Sequence, residues 1–427
     1  MTVSQRIVLL LLVLSLVAGL ATGSVIYYRL SYFWIILFMG GWAWSKYALR
    51  GISLHRSART MRAQVGQVFE ERFEVLNASR LPKIWLEVHN QSSLPDTGGS
   101  QVLTLLGGGQ RRIYWSQTYL KQRGVFPLGP TELASGDLFG LFPVSQTIPS
   151  QETLLVYPLM FHIQNFPNPA GLLPGGEALR RRTHQITPNA SGVREYAHGD
   201  SMNRIHWAST ARRNRLIVKE FELDPLAEVW LFLDAEQFGQ AALPEEPPDT
   251  NILTYWRKPA SFHLPPSTEE YGVSIAASLA SYFTRRGRSV GLISAGRHLN
   301  LLSPDRGGRQ LGKILEALSL SHAEGEVPIR GLVETQAKHI TRGSTVILIT
   351  HTVRDEFPYV VEYLMRRGVR PVVVLLEPAS FGGEKGNQEI AERVRALGVP
   401  CFLIENSANL ELAVGQSQLA STPAHVV

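Results

Sequence analysis

Two apolar runs near the N-terminus restrict this chain more than any other feature. Ile7 to Leu20 is almost unbroken, and Tyr32 to Leu49 is interrupted only by Ser45 and Lys46. A run near the ~17–20 residues that cross a hydrocarbon core must satisfy its own backbone groups there, so each is expected to be a helix. The pattern predicts a transmembrane hairpin with helices at about residues 7–23 and 32–49 and a short joining loop, Gly23 to Ser31. Tyr27, Tyr28, Tyr32 and Trp34 flank the loop, and Trp42, Trp44 and Tyr47 flank the other end, as interfacial aromatics do. Arg6 precedes the first run, Lys46, Arg50, Arg56, Arg59 and Arg62 follow the second, and Arg29 alone lies in the loop. The positive-inside rule then predicts a multi-pass protein of the plasma membrane with both termini cytoplasmic. Two readings compete: a cleaved signal peptide with Arg6 as its basic region and Ala18–Ala21 near the cut, or a buried hairpin of a soluble protein.

At 427 residues, with 44% hydrophobic and 18% charged, the chain has room for two or three folded domains. Residues 60–160 alternate apolar and polar, as in 69–75 and 83–89, between turn clusters such as 95–99 and 107–109. That pattern predicts an antiparallel β-sandwich of roughly seven strands. Residues 161–226 read as a connector rich in Pro and Gly, with a basic run Arg180–Arg182 that is either solvated or drawn to lipid headgroups. From 227 to 405 strands and helices alternate: strands at 228–234, 288–294, 299–302, 345–350, 371–376 and 400–404, helices at 268–286, 308–320, 357–367 and 386–397. Such alternation predicts a doubly wound α/β domain whose ligands sit beyond the carboxyl ends of the strands. Asp234 stands at such an end. A Pro-rich insertion, 236–268, follows it and is expected to cover that face as loose packing or as a partner-binding segment. A tail, 406–427, is expected to be flexible. The single cysteine, Cys401, lies in an apolar run and reads as a buried thiol.

The densest positive charge surrounds GVREYAHGDSMNRIHWASTARRNRLIVKEFELD, residues 192–224. Arg180 to Lys219 carries nine Lys/Arg against two Asp/Glu, a net +7, while the whole chain is only +6. Gly199-Asp200-Ser201 reads as a turn and N-cap, Met202–Arg213 as a short helix with Met202, Ile205 and Ala208/Ser209 on one face, and Leu216–Phe221 as an extended run. The arginines either pair with Glu195, Asp200, Glu220, Glu222 and Asp224 or form a docking surface for an acidic partner. Nucleic acid is not expected, because stacking aromatics are sparse.

Gly192, Arg194, Tyr196, Gly199, Asp200, Arg204, Ile205, Trp207, Ala211 and Arg212 fall at the spacing G-x-R-x-Y-x-x-G-D-x-x-x-x-I-x-W-x-x-x-A-R, which resembles the signature of the domain-of-unknown-function 58 family; His206 stands where that family usually has Asp. Arg123–Pro130 and Asp137–Phe142 are similar to a second motif of the same family, with Leu138 in place of its usual Pro. The resemblance implies a bacterial membrane-anchored protein whose α/β domain is like a von Willebrand factor A domain, and a partner of the MoxR-type AAA+ ATPase class. Such domains often bind Mg²⁺ through D-x-S-x-S. Here the loop reads Asp234-Ala235-Glu236-Gln237-Phe238, both serines are missing, and His351 stands where an Asp would help; Ser303, Asp305 and Asp355 are the stand-ins. Asp234 is therefore a weak metal candidate, and no metal or other cofactor is expected.

No G-x-S-x-G, P-loop, H-E-x-x-H or metal-spaced cysteine set is present. His198, Asp200 and His206 form the nearest acid–base constellation. The expectation is a non-enzymatic, cytoplasm-facing protein-binding module that works as an adaptor with the ATPase. The alternatives are a Mg²⁺-dependent binding protein and an envelope-associated enzyme using His198, Asp200 and His206.

Overall fold

A computed structural model describes residues 2–167, 190–197, 202, 205–221, 228–244 and 262–415. Arg180–Arg182, His198, Gly199, Asp200, Arg204, most of the Pro-rich insertion and the last twelve residues lie outside that set. The chain separates into two compact units, Met1–Leu159 with Pro247–His263, and Met160–Glu246 with Leu264–Val427.

The first unit opens with two antiparallel helices, α1 (Val3–Thr22) and α2 (Val25–Ala48). Thr2 and Gln5 form a reciprocal capping box at the start of α1, and Gly23, at φ 67°, ends it in the left-handed conformation. The turn is thus two residues, not the nine expected; α2 begins at Val25 because Tyr27, Tyr28 and Leu30 pattern as helix. Small residues sit in the seam: Ser15 and Ser31 hydroxyls meet at 3.0 Å, and Gly19 lets Tyr28 approach. Among the described residues one helix, α1, is long and apolar enough to cross a membrane. Helix α2 is longer but is diluted by Arg29, Lys46, tyrosines, tryptophans and glycines.

Ten strands follow: β1 (Ile52–Ala58), β2 (Arg62–Gln64), β3 (Val68–Asn77), β4 (Lys83–Asn90), β5 (Gln101–Leu106), β6 (Arg111–Tyr119), β7 (Gly124–Pro127), β8 (Thr131–Ser135), β9 (Val144–Ile148) and β10 (Thr153–Tyr157). They form three sheets, ordered β1-β3-β6, β5-β4-β8-β9 and β2-β10-β7. Every pairing is antiparallel except β2 with β10, which is parallel. Val75, Leu86, Val88, Leu103 and Leu133 join the first two sheets in one core, and Phe69, Leu128, Leu154 and Val156 join the third in another. Lys83 donates to the carbonyls of Tyr47 and Arg50, closing the free end of α2 with a cation as the helix dipole favours.

In the second unit β11 (Ala190–Glu195) and β12 (Ile217–Phe221) form an antiparallel pair around α3 (Trp207–Arg213). The α/β body then runs β13 (Val229–Leu233), α4 (Thr268–Arg285), β14 (Val290–Ala295), β15 (Leu299–Asp305), α5 (Gly308–Ser319), α6 (Ile329–Gln336), β16 (Thr345–Thr350), α7 (Phe357–Arg366), β17 (Arg370–Leu376), α8 (Asn387–Ala396), β18 (Cys401–Ile404) and α9 (Leu410–Ala413). Its six-stranded sheet is ordered β15-β14-β13-β16-β17-β18, parallel except for the antiparallel edge strand β15. Strands β13, β14 and β16 are buried throughout, which is why they read as continuous apolar runs.

The β-region holds ten strands in three sheets, with one parallel pair, where the sequence pattern predicts an antiparallel sandwich of roughly seven strands. Residues 160–167 are not a loose connector: Phe166 is buried and stacks on Phe402 at 5.4 Å, while Phe161 N donates to Ser278 Oγ at 3.0 Å. Residues 406–415 do not fray, because Asn409 caps α9 and Val414 is buried. Helix α6 was not foreseen.

Candidate functional site at the strand ends

Asp234 follows β13 directly, and Thr350 ends the neighbouring parallel strand β16, so the sheet brings the two together across 116 positions of sequence. Thr350 Oγ1 donates to Asp234 Oδ2 at 2.5 Å, and Glu236 N donates to Oδ1 at 3.2 Å. Thr350 Oγ1 in turn accepts from Thr352 N at 3.0 Å. Both carboxylate oxygens of Asp234 therefore already hold protein donors.

His351 is buried beside them, its Nδ1 3.9 Å from Asp234 Oδ2. Its Nε2 faces the Phe238 carbonyl at 3.1 Å, which can only accept, so that nitrogen carries a proton. Its Nδ1 accepts from Gln240 Nε2 at 3.3 Å, and the Gln240 amide is oriented by Thr268, whose hydroxyl donates to Oε1. Glu236 is buried and paired with Arg354 Nη2 at 2.5 Å. Burial, with the Asp234 charge behind it, raises the Glu236 carboxyl above its ordinary value despite the arginine.

The backbone closes the same end. Gly325 N donates to Ala235 O at 2.9 Å and Gln237 N to Gly325 O at 2.8 Å. A Cβ on Gly325 would lie 2.0 Å from the Ala295 carbonyl, so only glycine fits between the ends of β13 and β14.

This donor set does not fit a magnesium ion, which needs several free oxygens in near-octahedral array. Asp234 already holds a protein donor on each oxygen and Glu236 faces a guanidinium. Asp305 pairs with Val290, at the amino end of β14 and so at the opposite end of the sheet. Ser303 lies on that same edge strand, and Asp355 is exposed and pairs with Arg393 at 3.4 Å. Among the described residues no group of three or more His, Cys, Asp or Glu side chains is arranged to hold a metal.

The signature stretch is organised differently from its sequence pattern. Helix α3 begins at Trp207 instead of Met202, and its N-cap is His206, whose Nδ1 accepts from Ser209 N at 3.2 Å. Imidazole does here what the family's usual Asp would do, and the ring is thereby used locally. His198 and Asp200, the other members of the expected acid–base constellation, lie outside the described residues. Of the expected apolar face only Ile205 is buried; Met202 is 71% exposed and Trp207 67%. Helix α3 buries none of its own residues. The buried apolar residues described in this stretch, Ile205, Ile217 and Val218, lie on the strand side. Gly192 and Arg194 lie on β11, Arg194 opposite Val218, and Tyr196 N donates to Leu216 O at 2.9 Å. Arg212 and Arg213 are exposed in the last turn of α3, and Arg215 pairs with Glu195 at 2.5 Å on the surface.

Comparison with known proteins adds the following. The family described as "Protein of unknown function DUF58" matches residues 192–243, from β11 through Asp234 to Leu243. "Uncharacterized protein YeaD" of Bacillus subtilis (strain 168) is 24% identical over 276 residues, covering 64% of this chain and 61% of that protein. Among solved structures, the CARDB domain of the PF1109 protein from Pyrococcus furiosus, in complex with di-metal ions, aligns at a TM-score of 0.18 with 10% identity over 25% of this chain and 91% of its own. Proximal thread matrix protein 1 from the mussel byssus aligns at 0.29 with 10% identity, over 44% of this chain and 46% of its own. At such scores neither likeness bears on fold or function.

Proposed function

For a chain that belongs to the DUF58 family, whose description assigns no activity, we propose a membrane-anchored protein-binding module that carries out no chemistry of its own. The observation that carries the reading is α3. A seven-residue helix that buries none of its residues exposes Trp207 at its start and Arg212 and Arg213 in its last turn. Trp and Arg dominate the binding energy of protein interfaces, and exposed on a helix they are placed to dock against another protein. The closed strand-end network supports the same view, since its hydroxyl, imidazole and carboxylates are engaged with one another. The strand order, with an antiparallel edge, suits a von Willebrand factor A-like domain whose divalent-ion site has been replaced by the Asp234–Thr350 and Glu236–Arg354 pairs.

The membrane part of the proposal is that α1 and α2 together span the plasma membrane as a hairpin, with both termini cytoplasmic. Its support is the apolar, largely exposed surface of both helices and the basic residues Arg6, Lys46 and Arg50 at the end away from the turn. The partner proposed from the family resemblance is a MoxR-type AAA+ ATPase, for which the protein is an adaptor.

The test is direct binding between the full chain in detergent or nanodiscs and a purified MoxR-type ATPase from the same cell. Wild type is expected to bind, and Trp207→Ala with Arg212→Glu to weaken binding about 30-fold or more, as loss of hot-spot residues does. Absence of binding by wild type, or equal binding by the double variant, would refute the adaptor reading.

A further inference from the structure

The second family-like motif packs against the helical hairpin. Between β8 and β9 the chain turns tightly through Gly136–Phe142. Asp137 is buried, and its carboxylate accepts from Phe139 N at 3.0 Å and Phe142 N at 2.6 Å. Gly140, at φ 67°, completes the turn. The Leu141 carbonyl accepts from Thr2 Oγ1 at 3.2 Å and Gln5 Nε2 at 2.8 Å, which ties the turn to the first residues of α1. Phe142 meets Phe38 of α2 edge-on at 5.0 Å. Gly41 leaves room for the turn, since a Cβ there would lie 3.3 Å from Phe142 and 3.4 Å from Asp137. The turn is therefore rigid and locked at one height on both helices, level with Gln5 and with Phe38–Gly41.

Within this locked turn Leu141 points inward, while Leu138 and Phe139 are each 64% exposed. Two adjacent large apolar side chains are held outward by a network of hydrogen bonds, with no core of their own to join. Their height explains them. From Gln5 to Gly23 the helix rises about 27 Å, and from Gly41 back to Val25 about 24 Å, at ~1.5 Å per residue. The hydrocarbon core is ~30 Å thick. A hairpin that crosses it must bring the turn down to the core boundary. Lys46, stacked over Trp42 at 4.0 Å, lies about 7 Å further from the tip, at headgroup depth.

We propose that Gly136–Phe142 is a membrane-dipping wedge: Leu138 and Phe139 enter the acyl–headgroup boundary of the leaflet on the β-domain's side and fix that domain's depth and tilt against the bilayer. This rests on the membrane-spanning reading of the hairpin, and the test separates the two.

Leu138→Cys is introduced into the full chain, labelled with an environment-sensitive NBD fluorophore, and reconstituted in phosphatidylcholine–phosphatidylglycerol vesicles. Native Cys401 stays unlabelled, because it is buried and its thiol is pushed up to about 12. Lipids carrying a nitroxide near the headgroup or near the chain end serve as quenchers. Val13→Cys, midway along α1, reports on the span, and Gln67→Cys, exposed just before β3, reports on water. The expected result is shallow-quencher preference at Leu138 by about twofold, deep-quencher preference at Val13, and no quenching at Gln67. Phe139→Cys repeats the measurement at a second position. Quenching at Val13 with none at Leu138 or Phe139 would overturn the wedge and leave the span standing, whatever else covers those residues. No quenching at Val13 would overturn both.

Discussion

From the sequence Asp234 is a strand-end carboxylate and a weak metal candidate, and the fold supplies the partners that its oxygens hold. Its partner hydroxyl belongs to Thr350, on an adjacent strand but far away in sequence, so no local pattern announces the pair. Replacing Thr350 by Val keeps the shape and removes the donor. The buried Oδ2 of Asp234 then loses the one side-chain donor it has among the described residues, a cost of about 1–3 kcal/mol. Thr350→Ser retains the hydroxyl and should lose much less, apart from one buried methyl. The thermal unfolding midpoint of each variant in detergent distinguishes them, and equal losses would show that the hydroxyl is not the stabilising group. Glu71 allows a pH test. It is fully buried beside Arg56 in the β-domain, and burial raises its carboxyl above 4.5 more than the arginine lowers it. A raised acid takes up its proton in the folded state first. Its contribution is therefore most favourable below the unfolded value and declines as pH rises through the folded value. The difference in midpoint between wild type and Glu71→Gln should grow in favour of wild type as pH falls from 7 toward 4.5. A difference that shrinks over that range would reverse the assigned sign.

Regular elements with a strong period were legible, and those held by distant contacts were not. The strand at Thr345–Thr350 and the helices near 268, 308, 357 and 386 fall within a residue or two of their expected bounds, because each carries an unbroken apolar face or run. Helix α6 is eight residues long and depends on Ile329, Leu332 and Val333 packing under the sheet, too few positions to show a period. Phe166 looked like part of a Pro-rich linker, and only the aromatic cluster of Tyr282, Phe283 and Phe402 gives it a place. In the signature stretch the helix starts later than its sequence pattern suggests, because His206 is an unusual N-cap. Gly325 shows how two elements are joined by a single atom's worth of space. Gly325→Ala forces its Cβ into the Ala295 carbonyl. The loss should reach the upper end of the ~1–3 kcal/mol usual for overpacking. Circular dichroism melts of the full chain would show it, and an unchanged midpoint would mean that the loop is free to move away from β14.

At the scale of the whole molecule, the basic residues around the hairpin decide which side of a membrane the rest of the chain would occupy. Arg6, Lys46 and Arg50 lie at the end of the hairpin away from the turn, with Arg56 and Arg59 following in sequence, while the other end carries Arg29 alone. The sequence reveals this asymmetry fully, because it depends on residue types near the spans and not on tertiary contacts. The β-domain follows directly after α2, and Lys83 ties it to that helix's end, so it must share the basic side. On the proposed orientation that side is the cytoplasm, by the positive-inside rule. Proteinase K added to intact spheroplasts should then leave the chain at nearly full length, since only the two-residue turn and its flanking helix ends face outward. The same protease added after lysis should cut the chain to fragments. Moving the basic residues tests the cause: Lys46→Gln with Arg50→Gln, together with added lysines beside Arg29, should expose part of the population to external protease. Cleavage of the unmodified chain in intact spheroplasts would place the large domains outside, and would leave a cytoplasmic ATPase with nothing to bind.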